Sequence, residues 1–288
     1  MFTLNCKGRL FHFHRPVIMG ILNTTPDSFY EGSRFMGEEG ILQQAEKMKS
    51  DGALIIDIGG QSTRPGSERI SAGEEITRVI GAIESIHYNF PELIISIDTY
   101  HAVVARAAVE AGAGIVNDIS GGMYDKAMIE TVASLKVPFV CTHAPGEAGT
   151  MHQNPGYGNV TTEVFDFLVR QSGRCREAGI NDVIIDPGIG FGKNIDQNFE
   201  IINNLEKFSI INRPLLLGVS RKGTIYRKLG ITPEQAVNGT TVLNTVGLLK
   251  GAAILRVHDV KQAIEAIVLT ESLKEAGGNG FNQGSSAM

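Results

Sequence analysis

The sequence predicts an α/β fold, a (β/α)₈ barrel preceded by a short N-terminal β-hairpin. Two observations lead to this prediction. Short apolar runs alternate with segments of helical periodicity along most of the 288 residues, and nearly every run stops at a polar residue followed by Gly, Pro, Ser or Thr. Strands buried on both faces of a parallel sheet are continuously apolar, and the loops that follow such strands carry function.

The elements follow in order from these patterns. Phe2–Leu4 and Leu10–Phe13 flank a turn-like segment, which predicts a hairpin closing one end of the domain. Strands are then predicted near residues 17–22, 53–58, 93–98, 114–118, 137–142, 182–186, 214–219 and 252–257. Helices are predicted near residues 38–50, 73–88, 101–111, 125–135, 160–178, 196–206, 233–249 and 259–275.

The helices have local support. Ala102, Ala105 and Val109 recur at helical spacing, and Gly112 and Gly179 suit helix C-termini. Eight strand–helix units match a (β/α)₈ barrel. The alternative is a doubly wound open sheet with its site at a switch point between strands. The barrel better accounts for polar residues at nearly all strand ends.

Composition restricts the classes of function. A net charge of −5 shows no basic excess, which argues against nucleic acid as a partner. The apolar runs are too short to span a membrane, and no signal peptide is recognised. Cys6, Cys141 and Cys175 are few and widely spaced, as expected for reduced thiols in the cytoplasm. We expect one domain over residues 1–276 and a disordered tail over 277–288.

Two clusters follow the first two barrel strands. Asn23 opens the first, and its neutral oxygen suits a hard cation such as Mg²⁺. The alternative is that this cluster only caps a loop. The second cluster, Asp57–Gly66, contains Thr63 and Arg64, whose donors suit an anionic or phosphorylated ligand. Its Gly and Pro residues are also compatible with an ordinary loop.

Two further groups come from later strands. Asp98, Asn117 and Asp186 can hydrogen-bond the amidine-like edge of a fused heterocycle. A metal site or a general acid/base pair is the alternative, and the spacing alone does not decide between them. Cations in Ser220–Lys222 and Arg256–His258 follow strands 7 and 8, where such barrels often bind phosphate.

The Gly188–Lys193 segment is rich in glycine but lacks the ending and timing of a nucleotide-binding loop. Its glycines permit close backbone approach to a flat ligand, and Phe191 can stack on that ligand.

With these motifs, the chain resembles dihydropteroate synthases from about residue 15 to residue 270. The resemblance rests on seven ordered motifs: Asn23–Phe29, Asp57–Gly66, Ile97–Thr99, Asn117–Asp118, Asp186–Gly188, Ser220–Lys222 and Arg256–Asp259. It implies a transferase of folate biosynthesis, and a sulfonamide target, that condenses 6-hydroxymethyl-7,8-dihydropterin diphosphate with 4-aminobenzoate. It also implies a homodimer formed through outer helices.

The resemblance implies roles for individual residues. The pterin would be bound by Asp98, Asn117, Asp186, Lys222, Phe191 and Gly218, with Asp98, Asp186 and Lys222 also catalytic. The diphosphate would be bound by Asn23, Thr63, Arg256 and His258, with Mg²⁺ at Asn23. The aminobenzoate would lie near Phe29, Arg64, Pro65 and Gly223. Asp57 is interpreted as chiefly holding its own loop.

The chain departs from the family pattern at two places. A Met-His-Met-like run is usual after strand 5, whereas this chain has Thr142-His143-Ala144. Gly223 stands where a serine is frequent, which removes a hydroxyl but leaves a backbone N–H. Two rival functions share the barrel: a pterin-binding methyltransferase domain, whose substrate has no diphosphate, and a non-catalytic pterin-binding homologue.

Overall fold

The computed structural model describes residues 1–24, 37–61, 69–146, 150, 153 and 156–278. The strands are β1 (Phe2–Cys6), β2 (Arg9–Phe13), β3 (Val17–Asn23), β4 (Ile55–Gly59), β5 (Ile94–Asp98), β6 (Ile115–Asp118), β7 (Phe139–Thr142), β8 (Val183–Asp186), β9 (Leu216–Leu217) and β10 (Ile254–Val257). The α-helices are α1 (Glu38–Ser50), α2 (Ala72–Asn89), α3 (Ala102–Ala111), α4 (Met128–Leu135), α5 (Val160–Glu177), α6 (Ile195–Asn203), α7 (Gly223–Leu229), α8 (Val237–Leu249) and α9 (Val260–Gly278).

The first two strands form the predicted hairpin. β1 and β2 pair antiparallel, with Phe2 opposite Phe13 and their rings stacked at 4.7 Å between centroids. Leu4 and Phe13 are buried in one cluster with Met19 and Ile254, which belong to strands of the large sheet. The hairpin therefore closes one end of the barrel and keeps water from its apolar interior.

The other eight strands form a parallel sheet in the order β8-β7-β6-β5-β4-β3-β10-β9. A parallel bridge between Ile185 and Leu215 joins β8 to the segment that leads into β9. Ile185 N–H donates to the Pro214 carbonyl at 2.9 Å across this junction. The sheet therefore closes on itself, which confirms the barrel and excludes the open doubly wound alternative.

Apolar residues on the strands face both ways, as continuous runs predict. Ile56 and Ile97 pack outward in a cluster with Val79 and Ile83 of α2. Their sequence neighbours on the other face of the strands, such as Ile55, pack inside the barrel. Each such side chain contributes about 1.5–3 kcal/mol on full burial, so the two layers fix the register of the strands.

Polar side chains cap the N-termini of several helices, where the loops after the strands end. Ser71 Oγ accepts from Glu74 N–H at the start of α2, and Asn194 and Gln197 form a capping box on α6. The start of α3 is capped from a distance, because Ala102 N–H donates to Asp125 Oδ2 at 2.8 Å. These caps fix where the loops after the strands end.

The structure differs from the sequence prediction around strand β9. The strand predicted over 214–219 is regular only at Leu216–Leu217, because Pro214 has no N–H to donate. The helix predicted over 233–249 begins at Val237, after a 3₁₀ turn at Glu234–Ala236, and α7 forms a separate short helix.

The three cysteines are buried and unpaired, as expected for reduced thiols. Within the described ranges, no helix has both the length and the apolar character needed to cross a bilayer.

Candidate active site at the C-terminal end of the barrel

Toward the C-terminal ends of the strands, the side chains that face the barrel interior change from apolar to mostly polar between one layer and the next. Ile55, Ile94, Ile115, Val140, Ile184 and Ile254 form its apolar layer. Side chains two positions further along a strand point to the same face. The next inward layer therefore includes Asp57, Ser96, Asn117, Thr142, Asp186 and Arg256, together with Ile21 and Gly218.

Arg256 joins carboxylates from two other strands. Its Nε donates to Asp57 Oδ2 at 2.6 Å, and its Nη2 donates to Asp98 Oδ2 at 2.6 Å. Asn117 Nδ2 donates to the same Asp57 oxygen at 2.9 Å. Asp57 is fully buried, and both of these partners lie on other strands. The interpretation that Asp57 chiefly holds its own loop is therefore wrong. Its side chain points into the barrel and orients Arg256 and Asn117.

Burial and charge act in opposite directions on this cluster. Burial raises the pKa of Asp98 above its ordinary value, against the lowering effect of Arg256, and Asp57 and Asp118 raise it further. Burial disfavours the charge on Arg256, but Asp57 and Asp98 outweigh that effect and raise the pKa of the guanidinium. Arg256 is therefore a permanent cation, whereas Asp98 can be neutral or charged near neutral pH.

Asp186 and Lys222 lie on the opposite side of the mouth, around Gly218. A Cβ atom at Gly218 would lie 3.6 Å from Lys222 Nζ and 4.0 Å from Asp186 Oδ2, so a larger residue would fill this space. Lys222 Nζ donates to the Ile189 carbonyl at 2.6 Å and lies 4.9 Å from the centre of the Phe191 ring. An aromatic face, an ammonium group and a carboxylate thus border one space.

The pKa values on this side are also shifted by burial. Burial raises the pKa of Asp186, and Lys222 partly offsets the effect. Burial lowers the pKa of Lys222 to about 8, although Asp186 favours its charged form. Perturbed acids and bases gathered in one concave space are typical of an active site.

The residues after β9 and β10 divide into two roles. Ser220 Oγ lies 3.0 Å from His258 Nδ1 and also accepts from His258 N–H, which orients the imidazole at the end of β10. Arg221, in contrast, makes a bidentate ion pair with Asp259 at 2.9 and 2.6 Å. Arg221 is therefore not one of the cations that face the barrel mouth.

Asn23 ends β3 beside the carboxylate of Asp98. A Cβ atom at Gly59 would lie 3.7 Å from both Asn23 Oδ1 and Asp98 Oδ2. Among the residues that the structure describes, no group of three His, Cys, Asp or Glu side chains could hold a metal. Asn23 Oδ1 is a neutral oxygen of the kind that can serve Mg²⁺ as a single protein ligand.

The structure brings most of the sequence-predicted residues together. Asn23, Asp98, Asn117, Asp186, Phe191, Gly218, Lys222, Gly223, Arg256 and His258 all lie at the C-terminal ends of the barrel strands or in the segments directly after them. Phe29, Thr63, Arg64 and Pro65 lie outside the described residues. Asp118 faces away from the mouth, where its carboxylate accepts from Ser120 and Gly122 N–H groups.

Sequence reasoning missed two polar residues. Ser96 is fully buried. A single hydroxyl within the apolar run Ile94–Ile97 indicates a polar position inside the barrel. Lys193, the last residue of the Gly188–Lys193 segment, is also buried. Nothing in the local sequence distinguishes it from a surface lysine, because its burial depends on contacts with another strand end.

Comparison with known proteins identifies the family. The family described as pterin binding enzyme matches residues 19–258. The chain belongs to the pterin-binding enzyme family. The chain is 38% identical to the dihydropteroate synthase of Escherichia coli K12 over 275 residues, which cover 95% of this chain and 97% of the relative.

Solved structures of pterin-binding enzymes have the same fold. A Xanthomonas albilineans dihydropteroate synthase with 4-aminobenzoic acid superposes with a TM-score of 0.88 at 37% identity, covering 94% of this chain and 98% of the other. The same enzyme has been solved in complex with 7,8-dihydropteroate. The Yersinia pestis enzyme in a sulfonamide drug complex has a TM-score of 0.89 at 36% identity, covering 95% and 100% of the two chains.

Proposed function

We infer that the chain catalyses the dihydropteroate synthase reaction of folate biosynthesis. It condenses 6-hydroxymethyl-7,8-dihydropterin diphosphate with 4-aminobenzoate and releases 7,8-dihydropteroate and diphosphate. The observation that carries this conclusion is the mouth of the barrel, where Asp98, Asn117, Asp186 and Lys222 lie at or directly after the strand ends, in a family whose relatives have this activity. The relatives' complexes with 4-aminobenzoic acid and 7,8-dihydropteroate name the same substrate and product.

The pterin ring is proposed to bind between the two carboxylate groups of the mouth. Ionised Asp186 and Asp98 accept the paired N–H donors of the heterocycle, and Asn117 both donates and accepts. The Asp57 oxygen fixes the Asn117 amide so that its oxygen remains available to the ligand. Lys222 donates to ring acceptors, Phe191 contacts a ring face, and Gly218 leaves room for the ring.

The diphosphate is proposed to lie at the Asn23, Arg256 and His258 side of the mouth, with Thr63. Arg256 is held rigidly by Asp57, so its charge is already oriented when the phosphate arrives. Mg²⁺ would bind at Asn23 and supply a Lewis acid for the departing diphosphate. The buried carboxylates Asp98 and Asp186 then stabilise the positive charge that develops on the pterin methylene group.

The 4-aminobenzoate is proposed to enter above the pterin. The diphosphate departs first with the electron pair of the C–O bond and leaves a cationic methylene carbon. The amino nitrogen of 4-aminobenzoate then attacks that carbon and loses a proton to solvent or to the departed diphosphate, so no covalent enzyme intermediate is required. Phe29, Arg64 and Pro65 are proposed to cover it. The backbone N–H of Gly223, in the first turn of α7, is proposed to meet its carboxylate, since such N–H groups have no partner within the helix.

Diphosphate release tests the function directly. Purified protein, pterin diphosphate and Mg²⁺ are mixed with and without 4-aminobenzoate, and diphosphate is measured with a coupled enzyme. Release that depends on 4-aminobenzoate is expected, and EDTA should reduce it by at least about tenfold until Mg²⁺ is restored. Pterin binding without release would instead indicate a non-catalytic homologue, and an absence of both would contradict the assignment.

We also propose that the protein is a homodimer formed through α8 and α9, which pack against each other. Leu269 and Leu273 lie one turn apart on α9 and are 66% and 63% exposed. Val242 and Leu249 lie two turns apart on α8 and are more than half exposed. Adjoining exposed apolar residues support an interface between copies of the chain.

A further inference from the structure

Lys193 is a buried lysine with four polar contacts. Its Nζ lies 2.9 Å from the Gly188 carbonyl, 3.0 Å from the Phe191 carbonyl, 3.3 Å from the His143 carbonyl and 3.0 Å from His143 Nδ1. His143 directly follows β7, whereas the other two carbonyls belong to the segment after β8. One ammonium group thus joins the loops of two neighbouring strands.

The segment Gly188–Lys193, here called the glycine loop, contains three glycines, whose backbones are too permissive to fix one conformation by themselves. Gly188, Gly190 and Gly192 have φ values of 70°, 89° and 56°, in the left-handed region where glycine is permissive. A Cβ atom at Gly188 would lie 1.9 Å from the His143 carbonyl oxygen, so the close approach also requires glycine. The loop therefore depends on side chains that anchor it.

The glycine loop is also the surface on which the pterin subsite is built. Gly188 N–H donates to Asp186 Oδ1 at 2.8 Å. Lys222 donates to the Ile189 carbonyl and faces the Phe191 ring. Lys193 donates to the Gly188 and Phe191 carbonyls, which flank Ile189 in the sequence, so two lysines bond to the backbone of this loop.

The protonation states fit this arrangement. Burial and, to a lesser extent, Lys193 lower the pKa of His143 to about 2, so the ring is neutral and its Nδ1 accepts from Lys193. Burial lowers the pKa of Lys193 to about 7, with Asp186 opposing and Lys222 reinforcing the shift. An ammonium group has three N–H donors, so at most three of these four acceptors are bonded at one time, and the 3.3 Å contact with the His143 carbonyl is the longest of the four.

We propose that Lys193 is a positioning residue for the pterin subsite. By fixing the glycine loop against the end of β7, it sets where the Phe191 ring and the Lys222 ammonium group meet the ligand. The proposal rests on the proposed function to the extent that Phe191 and Lys222 contact the pterin. The Gly188 and Phe191 carbonyl contacts themselves are independent of which ligand binds.

The test compares Lys193→Met with Lys207→Met, a control at an exposed lysine outside the site. Pterin affinity is measured by calorimetry without 4-aminobenzoate, and the cycle is completed with Phe191→Ala and the Phe191→Ala/Lys193→Met double variant. Lys193→Met should weaken pterin binding by about tenfold or more, because three buried carbonyls lose their donor. The losses should be less than additive, since both changes act through Phe191.

Amide hydrogen exchange in the ligand-free protein supplies a second readout. Gly190 and Phe191 amides should exchange faster in Lys193→Met than in the Lys207→Met control. Unchanged exchange, unchanged pterin affinity of the folded variant, or fully additive losses would each overturn the proposal. If Lys193→Met does not fold, Lys193→Gln, which keeps an amide donor, should show the same effects at reduced size. Faster exchange in a protein whose wild type binds no pterin would support the anchor and contradict the proposed function.

Discussion

Arg256 shows how single residues organise the charge of the site. Its guanidinium is shared between Asp57, which is fully buried, and Asp98, which faces the mouth. The sequence predicted Asp98 and Arg256 separately, because each ends an apolar run. The sequence could not predict that Arg256 pairs with Asp57, because 199 residues separate the two and the contact requires the barrel to close. The same limit applies to Lys193.

Replacing Asp57 with asparagine should lower both stability and turnover. The change leaves a buried guanidinium with one carboxylate and frees the Asn117 amide to rotate. We expect a loss of about 2 kcal/mol in the free energy of unfolding, because removing one member of a buried pair leaves charge uncompensated. Urea denaturation measures it. Asp51→Asn, which breaks a surface pair with Lys47, is the control and should cost less than about 1 kcal/mol. Equal effects at the two positions would contradict the role of Asp57.

Pterin affinity should fall as the pH rises through about 8, where burial places the pKa of Lys222. The ammonium form is the one proposed to donate to ring acceptors, and burial makes it lose its proton at a lower pH than the 10.5 of an ordinary lysine. Burial raises the pKa of Asp98, so affinity should also fall on the acid side as that carboxylate is protonated. Calorimetry between pH 6 and 10 with a pterin that lacks the diphosphate measures both limbs.

The matched variant for this profile is Lys222→Arg. A guanidinium keeps its proton throughout the range, so the alkaline loss of affinity should disappear even if affinity is lower overall. A wild-type profile that stays flat up to pH 10, or an alkaline limb that persists in Lys222→Arg, would exclude Lys222 as the titrating group.

At the scale of elements, periodicity predicted that the strands and helices exist more accurately than it predicted where each begins and ends. The eight barrel strands and the long helices were predicted within a few residues, because their apolar runs and helical spacing are strong signals. The short helix α7 was not predicted as a separate element, since seven residues carry little periodicity. Helix α4 starts later than predicted, at Met128, after a turn in which the Asp125 carboxylate accepts both from Ala102 N–H of α3 and from Ala127 N–H.

The α8–α9 surface makes a prediction at this scale. Leu269→Glu/Leu273→Glu should convert the proposed dimer to a monomer, because each copy would bury two charges in the interface. Sedimentation velocity measures the mass. Val169→Glu, at a 44% exposed position on α5, is the control and should leave the dimer intact. A wild-type monomer, or a double variant that remains dimeric, would contradict the proposed interface.

At the scale of the whole molecule, closure of the barrel is what creates the site. The hairpin closes one end with apolar side chains, and the polar layer occupies the other. Parallel strands bring all their C-terminal ends to one mouth, which is why polar strand ends predicted a shared site. The sequence could not reveal which polar residues pair with each other there, because pairing across the mouth depends on the tilt and register of closed strands.

The most direct test of the account is the turnover of Asp98→Asn in the synthesis of 7,8-dihydropteroate. Asparagine keeps the shape of the side chain but removes the charge that is proposed to accept the pterin N–H donors and to stabilise the cationic methylene group. We predict a loss of at least about a hundredfold in kcat/KM, with a thermal unfolding transition still present. Turnover close to that of the wild type would contradict the assignment of this mouth as the pterin site.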